Sequence, residues 1–176
     1  MILEFEPIAG ETGLLKQNAY NKRLARCPQI TSDYSFLNLW GWAEEYDLAW
    51  AWEEDLVWIR QNGPTPRYWA PIGPWQDIEW SRRLSKTFPG GARFVRIPEL
   101  LVNSMKSSQE EGIQVKETRG HWDYLYHLND LVTLQGNRFH KKKNLVNQFK
   151  KKYDYTLIPL GPDFARDALA LQEEWC

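Results

Sequence analysis

The feature that most constrains the fold is a pair of aromatic-rich runs, LAWAW and LVWIRQ, separated by the acidic tripeptide EED. Both runs are rich in the aromatic and β-branched residues that favour strands. A short polar turn between two such runs is typical of a β-hairpin. We therefore predict two antiparallel strands within residues 48–61, against which the rest of the chain packs.

Further elements are predicted on both sides of this hairpin. Strand character occurs in ILEFEPI, RYWAPIG, ARFVRI, GIQVKET and HWDYLYH, and helical spacing occurs in residues 14–25, YSFLNLWGWAEEY, the segment after Pro98, NDLVTL and NRFHKKKNLVNQFKKKY. We predict a helix from Pro74 to Phe88, and helix caps at Ser32 or Asp33 and at Asn129. This order predicts an α/β (α+β) fold with a mixed, largely antiparallel sheet flanked by helices.

The composition indicates a globular chain. It has 176 residues, of which 26% are charged and 14% aromatic, which suits one domain and part of another. No apolar run approaches the ~20 residues of a membrane span and no signal segment opens the chain, so a cytoplasmic location is the expectation. Cys27 and Cys176 form neither a CxxC nor a Cys/His cluster. No metal site is predicted.

Positive charge is concentrated in one segment. Residues 136–153, GNRFHKKKNLVNQFKKKY, hold seven of the 22 basic residues and no acidic residue, in a chain whose formal net charge is -1. The remainder carries 15 basic against 23 acidic residues, a net charge of -8. An overall charge near zero argues against a DNA-coating protein and leaves any phosphate or nucleic-acid function to this segment.

Helical spacing divides the segment into two groups of cations. At about 100° per residue, the apolar residues share one arc, which we predict packs on the protein body: Phe139, Leu145, Val146, Phe149 and Tyr153. Lys142 projects into the middle of this arc. The cations near the helix start oppose the helix dipole, whereas Lys150 to Lys152 at the end suit it.

The first group is the candidate binding site. Free amides at a helix start together with converging cations favour an anion site. We assign donor or anion binding to this basic cluster, which consists of Arg138, His140, Lys141, Lys142, Lys143 and Asn144. The alternative is a solvated helix face, because lysine side chains are mostly exposed in proteins.

The segment HWDYLYH raises the question of a metal triad. On a strand, His121, Asp123 and His127 share one face. The two histidines would then stand about 20 Å apart, from a rise of about 3.3 Å per residue, which is too far for one ion. A structural role for this face is the expectation.

The end of the chain repeats the plan of its beginning. YTLIPLGPDFARDALALQEEW and LEFEPIAGETGLLKQNA each contain a short strand ending in Pro, a Gly turn, an acidic residue and an amphipathic helix. An internal repeat of this kind predicts a second copy of one structural unit. We predict a first domain over residues 1–153 and the start of a second, truncated unit over residues 154–176.

Three motifs carry a family resemblance. SFLNLWGWAEEY, HWDYLY and LQGNRFHKKKNLVNQFKKKY resemble those of a bacterial family related to the C-terminal catalytic domain of phosphatidylglycerol lysyltransferases. Members of that family look like two GNAT (acyl-CoA N-acyltransferase) units in tandem, so the resemblance implies a GNAT-like fold and makes Asp123 and Tyr124 pocket candidates. Lys142, Lys143 and Asn144 match the family's Lys-Arg-Asn pattern, except that Lys143 replaces the arginine and lacks its bidentate fork.

The resemblance implies that the chain is the N-terminal half of an acyl- or aminoacyltransferase. A phosphate-bearing donor, acyl-CoA or aminoacyl-tRNA, would supply the group, and an amine or a lipid would accept it. The junction YWAPIGPWQD, where a GNAT unit has its Gly-rich pyrophosphate loop, has one glycine and two prolines. We therefore expect no standard CoA site in this unit, no cofactor bound by this fragment, and no activity without the missing second GNAT-like unit.

Other classes of function remain open. The chain could be a tRNA- or nucleic-acid-binding module that uses the basic helix, or a non-catalytic scaffold domain. No GxSxG, P-loop or Ser/His/Asp arrangement identifies a nucleophile. The catalytic base, the transferred group and its acceptor therefore stay unassigned.

Overall fold

The predicted hairpin forms the middle of an antiparallel sheet. The computed structural model describes residues 2–106 and 113–175. Its strands β1 (Glu6–Pro7), β2 (Leu48–Trp52), β3 (Val57–Gln61) and β4 (Arg67–Tyr68) pair in the order β1-β2-β3-β4, each antiparallel to its neighbour. This sheet, with its helices, confirms the predicted α+β class and is consistent with a GNAT-like fold.

The helices fall into two compact units, Met1–Asp123 (unit 1) and Tyr124–Cys176 (unit 2). Unit 1 contains α1 (Gly10–Leu15), α2 (Gln17–Leu24), α3 (Phe36–Gly41), α4 (Trp80–Thr87) and α5 (Glu99–Lys106). Unit 2 contains α6 (Leu128–Thr133), α7 (His140–Lys152) and α8 (Ala165–Trp175). The predicted assignment of residues 154–176 to a further GNAT-like unit stays a prediction.

Aromatic side chains hold helices against both faces of the sheet. Trp50 and Trp58 are fully buried and point to opposite faces, since Trp58 pairs with Ala51, the neighbour of Trp50. The Tyr20 ring of α2 lies 5.9 Å from the Trp50 ring, and the Phe88 ring after α4 lies 5.5 Å from the Trp58 ring. The alternation of the hairpin sequence thus places one helix on each side of the sheet.

Tyr34 connects four separate segments of unit 1. Its buried hydroxyl donates to the Arg96 carbonyl and accepts from the Ala70 N–H, both at 2.8 Å. Its own carbonyl accepts from the Tyr20 hydroxyl at 2.8 Å. Beside it, Asp33 pairs with the Arg96 guanidinium at 2.6 Å. The short 3-10 turn Ser32–Tyr34 therefore links α2, the sheet and the segment around residue 96.

Arg96 has a strained backbone that these contacts support. Its φ of 58° lies in the left-handed region, where a residue other than glycine costs about 1–3 kcal/mol. Its guanidinium lies 4.9 Å from the centre of the Trp69 ring, a favourable cation–π distance. The ring contact, the Asp33 ion pair and the Tyr34 hydrogen bond together hold Arg96 in this conformation.

Several predicted helix boundaries were wrong. The N-cap of α3 is Ser35, whose hydroxyl accepts from the Asn38 N–H, because Ser32 and Asp33 belong to the 3-10 turn. Helix α4 begins at Trp80, six residues after Pro74. The N-cap position of α6 is His127, without a side-chain capping bond, and Asn129 lies inside the helix.

Most predicted strands beyond the hairpin are short or absent in the described residues. ARFVRI makes one isolated parallel bridge, between Phe94 and Tyr68. Residues 113–118 of GIQVKET, residues 122–127 and residues 153–160 form no strand, and residue 112 lies outside the described residues. Strand residues must bond to a neighbouring strand. Local β propensity alone therefore did not create these strands.

The described residues contain neither a membrane-spanning helix nor a metal-binding cluster. Within the described residues, no helix combines the length and apolar character that crossing a membrane requires. Residues 2–106 and 113–175 also contain no group of three or more His, Cys, Asp or Glu side chains placed to hold a metal ion.

The buried tyrosines make the stability of unit 1 sensitive to alkaline pH. Burial raises the pKa of the Tyr34 hydroxyl far above its usual range, although the Ala70 N–H lowers it in part. Burial also raises the pKa of Tyr20. Because the unfolded chain ionises first, near pH ~10, the stabilisation is fully present below that pH and is lost as the pH rises through the folded-state values.

We predict that Tyr34→Phe lowers the free energy of unfolding by about 2 kcal/mol at neutral pH, since it leaves the Ala70 N–H and the Arg96 carbonyl without their partner. Above pH ~10 the variant should lose stability less steeply than the parent chain, because one raised pKa is gone. Urea denaturation across this pH range measures both effects. Tyr124→Phe, at a side chain 87% exposed, is the control and should change stability by less than about 0.5 kcal/mol. Equal effects of the two substitutions would contradict the role given to Tyr34.

Candidate anion-binding site

The basic cluster lies at the start of α7, which runs from His140 to Lys152, within the helix predicted over residues 137–153. A 3-10 turn, Asn137–Phe139, precedes the helix and follows Gly136, whose φ is 86°. Phe139 is buried, with 4% of its surface exposed. This ring anchors the helix start, and the cluster residues from His140 to Asn144 follow it directly.

The lysines of the cluster are exposed, and among the described residues none of them pairs with a carboxylate. Lys141, Lys142 and Lys143 all lie on the surface. Among residues 2–106 and 113–175, the ion pairs join other side chains, and none involves these three. Three adjacent ammonium groups without a carboxylate partner create a local positive potential. Such a potential attracts a phosphate-bearing ligand.

Arg138 differs from the lysines because it already has a partner. Its guanidinium pairs with Asp130 of α6 at 2.5 Å and lies 4.7 Å from the centre of the Phe139 ring. The chain reverses between them through the left-handed residues Leu134 and Gly136. Arg138 therefore joins α6 to the start of α7. Sequence reasoning missed Asp130, although the glycine before the basic segment indicated a reversal.

The prediction that the apolar arc of α7 packs on the protein body stays a prediction, and within the described residues of unit 2 no other element buries this arc. Leu145, Val146 and Phe149 are 65%, 41% and 48% exposed, and α7 contains no buried residue. Phe149 instead contacts two nearby rings, Tyr153 at 5.0 Å and Tyr155 at 5.2 Å. Lys142 is exposed, on the same side of the helix as these apolar residues.

The two pocket candidates, Asp123 and Tyr124, precede the basic cluster in the sequence, and their own contacts differ from each other. The Asp123 carboxylate accepts from the Ser32 N–H at 2.8 Å and from the Ser32 hydroxyl at 2.5 Å. It therefore holds the Ser32–Tyr34 turn to a segment 91 residues away. Tyr124 is 87% exposed. Ser32 was not identified from the sequence, because no local pattern marks a contact over such a separation.

Two open clefts in the described part of unit 1 are lined by residues other than the predicted site residues. One, of about 510 Å³, is lined by residues 2–6, Lys16 and residues 51–53. The other, of about 500 Å³, is lined by residues 75–80 and Ser104. The second cleft includes the end of the YWAPIGPWQD junction and carries Asp77 and Glu79. These carboxylates make it unsuited to a pyrophosphate group.

Known proteins that are similar to this chain identify its family, and the matched residues include the basic helix α7. A family model described as phosphatidylglycerol lysyltransferase, C-terminal, matches residues 24–176, which confirms the predicted resemblance. The chain is also similar to a crystal structure of a conserved protein of unknown function from Bacteroides thetaiotaomicron VPI-5482, with a TM-score of 0.75 and 26% identity. That match covers 99% of this chain and 59% of the other. A search of curated proteins found no match.

The Arg138–Asp130 pair generates a prediction about the charge of the site. We expect Asp130→Asn to raise the affinity for a polyanion, with tRNA as the probe, about two- to fivefold at low salt, because it removes one negative charge and releases Arg138 for an anion. Fluorescence anisotropy with labelled tRNA measures the change. Asp163→Asn removes the same charge from an exposed position of unit 2 outside α6 and α7 and serves as the control. An equal gain in affinity in both variants would show that the effect comes from net charge alone and not from the release of Arg138.

Proposed function

Because the chain belongs to the family of phosphatidylglycerol lysyltransferase C-terminal domains, we propose that it provides the donor-binding part of an acyl- or aminoacyltransferase. The observation that carries this proposal is the run of exposed lysines, Lys141 to Lys143, at the start of α7 without an ion-pair partner among the described residues. Their ligand would be the phosphate groups of the donor. Both candidate donors, acyl-CoA and aminoacyl-tRNA, are cytoplasmic molecules, which is the reason to keep that location as part of the proposal.

Aminoacyl-tRNA suits this geometry better than CoA. CoA-binding folds of this class hold a compact pyrophosphate on backbone amides of a loop, and the corresponding junction here borders a cleft with Asp77 and Glu79. Lysines along an exposed helix instead match an extended row of phosphates, which bind them as point charges without a bidentate fork. Lys143, at the position where the family pattern has arginine, fits this mode of binding.

The basic cluster would bind and orient the donor, and the transfer step needs further groups. The chain spans 59% of the matched structure, so transfer to an amine or a lipid is proposed for a complete protein rather than for these residues alone. A tRNA-binding module without transferase activity is the second candidate, because the same exposed lysines would serve it. Transfer of a labelled aminoacyl group to a lipid acceptor by a longer homologous chain distinguishes the two.

We predict that Lys142→Ala weakens tRNA binding about tenfold at low salt and lowers the slope of log Kobs against log[salt] by about 1, the value for one lost phosphate contact. Anisotropy titrations at several salt concentrations measure both quantities. Lys151→Ala is the matched control, since it removes the same charge from the opposite side of α7.

The controls of this experiment also test the donor class. Identical effects of Lys142→Ala and Lys151→Ala would reduce the site to nonspecific attraction and contradict the proposal. Binding of CoA that depends on Lys142, without binding of tRNA, would keep the anion site but replace the donor.

A further inference from the structure

Two arginines of unit 1 stand side by side at the edge of the sheet. Arg67 belongs to β4, and Arg93 lies on the adjacent segment, which makes the isolated parallel bridge between Phe94 and Tyr68. The Tyr68 N–H donates to the Arg93 carbonyl at 2.9 Å, and the Val95 N–H donates to the Tyr68 carbonyl at 2.8 Å. These two bonds fix the register of the segments, so that Arg67 and Arg93 oppose each other.

The same register places both arginine side chains on one side of the sheet. Bridge partners face the same side, and the rings of Tyr68 and Phe94 accordingly lie 5.7 Å apart. Successive residues of an extended chain alternate between the two sides, so Arg67 and Arg93 share the opposite one. Neighbouring strands lie about 4.8 Å apart, which allows two guanidinium groups to reach one ligand. We call these two residues the arginine pair.

No carboxylate neutralises the arginine pair in the part of the chain that the structure describes. Elsewhere in unit 1, Arg26, Arg83 and Arg96 each pair with a carboxylate. The ion pairs of the described residues do not include Arg67 or Arg93. Like charges opposite each other on neighbouring strands are destabilising. A bound anion would remove this repulsion.

The carboxylate at the same end of the sheet has another partner. Leu48 opposes Gln61, and Gln61 opposes Arg67, so Asp47, which directly precedes β2, lies two strands away from Arg67. The Asp47 carboxylate accepts from the side-chain amide of Asn62 at 3.0 Å. This bond holds Asp47 next to the end of β3 and leaves the arginine pair without a carboxylate partner.

A phosphate monoester suits two adjacent guanidinium groups. Each guanidinium donates through a planar fork, and one such fork already satisfies the two oxygens of a carboxylate. A phosphate monoester carries about −1.5 to −2 charges at neutral pH and has three acceptor oxygens, so it can accept from both forks at once. The phosphodiester of a nucleic-acid backbone has a single negative charge and one free oxygen fewer. The arrangement therefore favours a terminal phosphate.

We propose that the arginine pair binds the terminal phosphate group of a phosphate monoester. All residues that form this site belong to unit 1, and the strand register within that unit sets their positions. The inference does not rest on the proposed donor site, which consists of residues 138–144 in unit 2. A small phosphorylated molecule and the phosphorylated end of a nucleic acid share the chemistry that the site recognises.

The test is an NMR titration of the 176-residue chain with methyl phosphate, followed on the arginine Nε–Hε resonances. We expect shifts at Arg67 and Arg93, and binding at least about tenfold weaker in Arg67→Gln or Arg93→Gln, because each removes a charged hydrogen-bond donor. Arg93→Lys should recover only part of the affinity, since lysine keeps the charge but lacks the fork.

The ligand provides a second measurement. Dimethyl phosphate, a diester, should bind at least about fivefold more weakly than methyl phosphate, because it has lost one charge and one acceptor oxygen. The affinity for methyl phosphate should fall as the pH decreases through the second phosphate pKa, near ~6, whereas the arginines keep their charge. A 5′-phosphorylated oligonucleotide and methyl phosphate distinguish the two sources of the phosphate, and binding of either through the arginine pair supports the proposal.

Arg82→Gln is the matched control, because it removes the same charge from an exposed position of α4 and should change the affinity less than about twofold. Circular dichroism checks that each variant is folded. Lys142→Ala should leave methyl phosphate binding unchanged, which separates this site from the donor site. Equal binding of methyl and dimethyl phosphate, equal losses in Arg82→Gln and Arg93→Gln, or unshifted Arg67 and Arg93 resonances would overturn the proposal.

Discussion

The hydroxyl of Tyr34 is the contact on which the arrangement of unit 1 depends most. It is buried, it donates to the Arg96 carbonyl and it accepts from the Ala70 N–H. A buried polar group without partners costs about 1–3 kcal/mol, so this position requires both bonds. Through these two bonds the Ser32–Tyr34 turn holds the backbone of Ala70, just after β4. It also holds the strained backbone of Arg96. Asp123 adds a further connection to the same turn through Ser32.

The two units use aromatic residues in opposite ways. In unit 1 most rings are buried or half-buried between sheet and helices, with Trp42 and Trp122 as exposed exceptions, and the buried rings stabilise the fold. In unit 2 the described aromatic side chains are mostly exposed, with Phe139 as the buried exception. The positive charge is also concentrated in unit 2, along α7. The buried aromatic core therefore surrounds the hairpin, whereas the proposed donor-binding site lies on a helix that follows one buried ring, Phe139.

Sequence patterns predicted those elements whose bonding is local. The hairpin and helix α7 are both set by spacing within one short segment, and both were found. The predicted strands ARFVRI and HWDYLYH failed because a strand requires a partner elsewhere in the chain. The candidate site likewise combines residues that a local pattern predicts with contacts that no local pattern predicts. The lysines of the basic cluster were visible as a pattern, but the Asp130 partner of Arg138 and the Ser32 partner of Asp123 depend on chain reversals that no local spacing encodes.

The central claim is that the first turns of α7, and not its end, bind the phosphates of the donor. Amide hydrogen exchange of the chain with and without tRNA tests this claim most directly, because it locates the ligand along the helix. The account predicts slowed exchange at residues 138–144 and little change at residues 150–152. Protection confined to residues 150–152, or no protection in α7 at all, would contradict it.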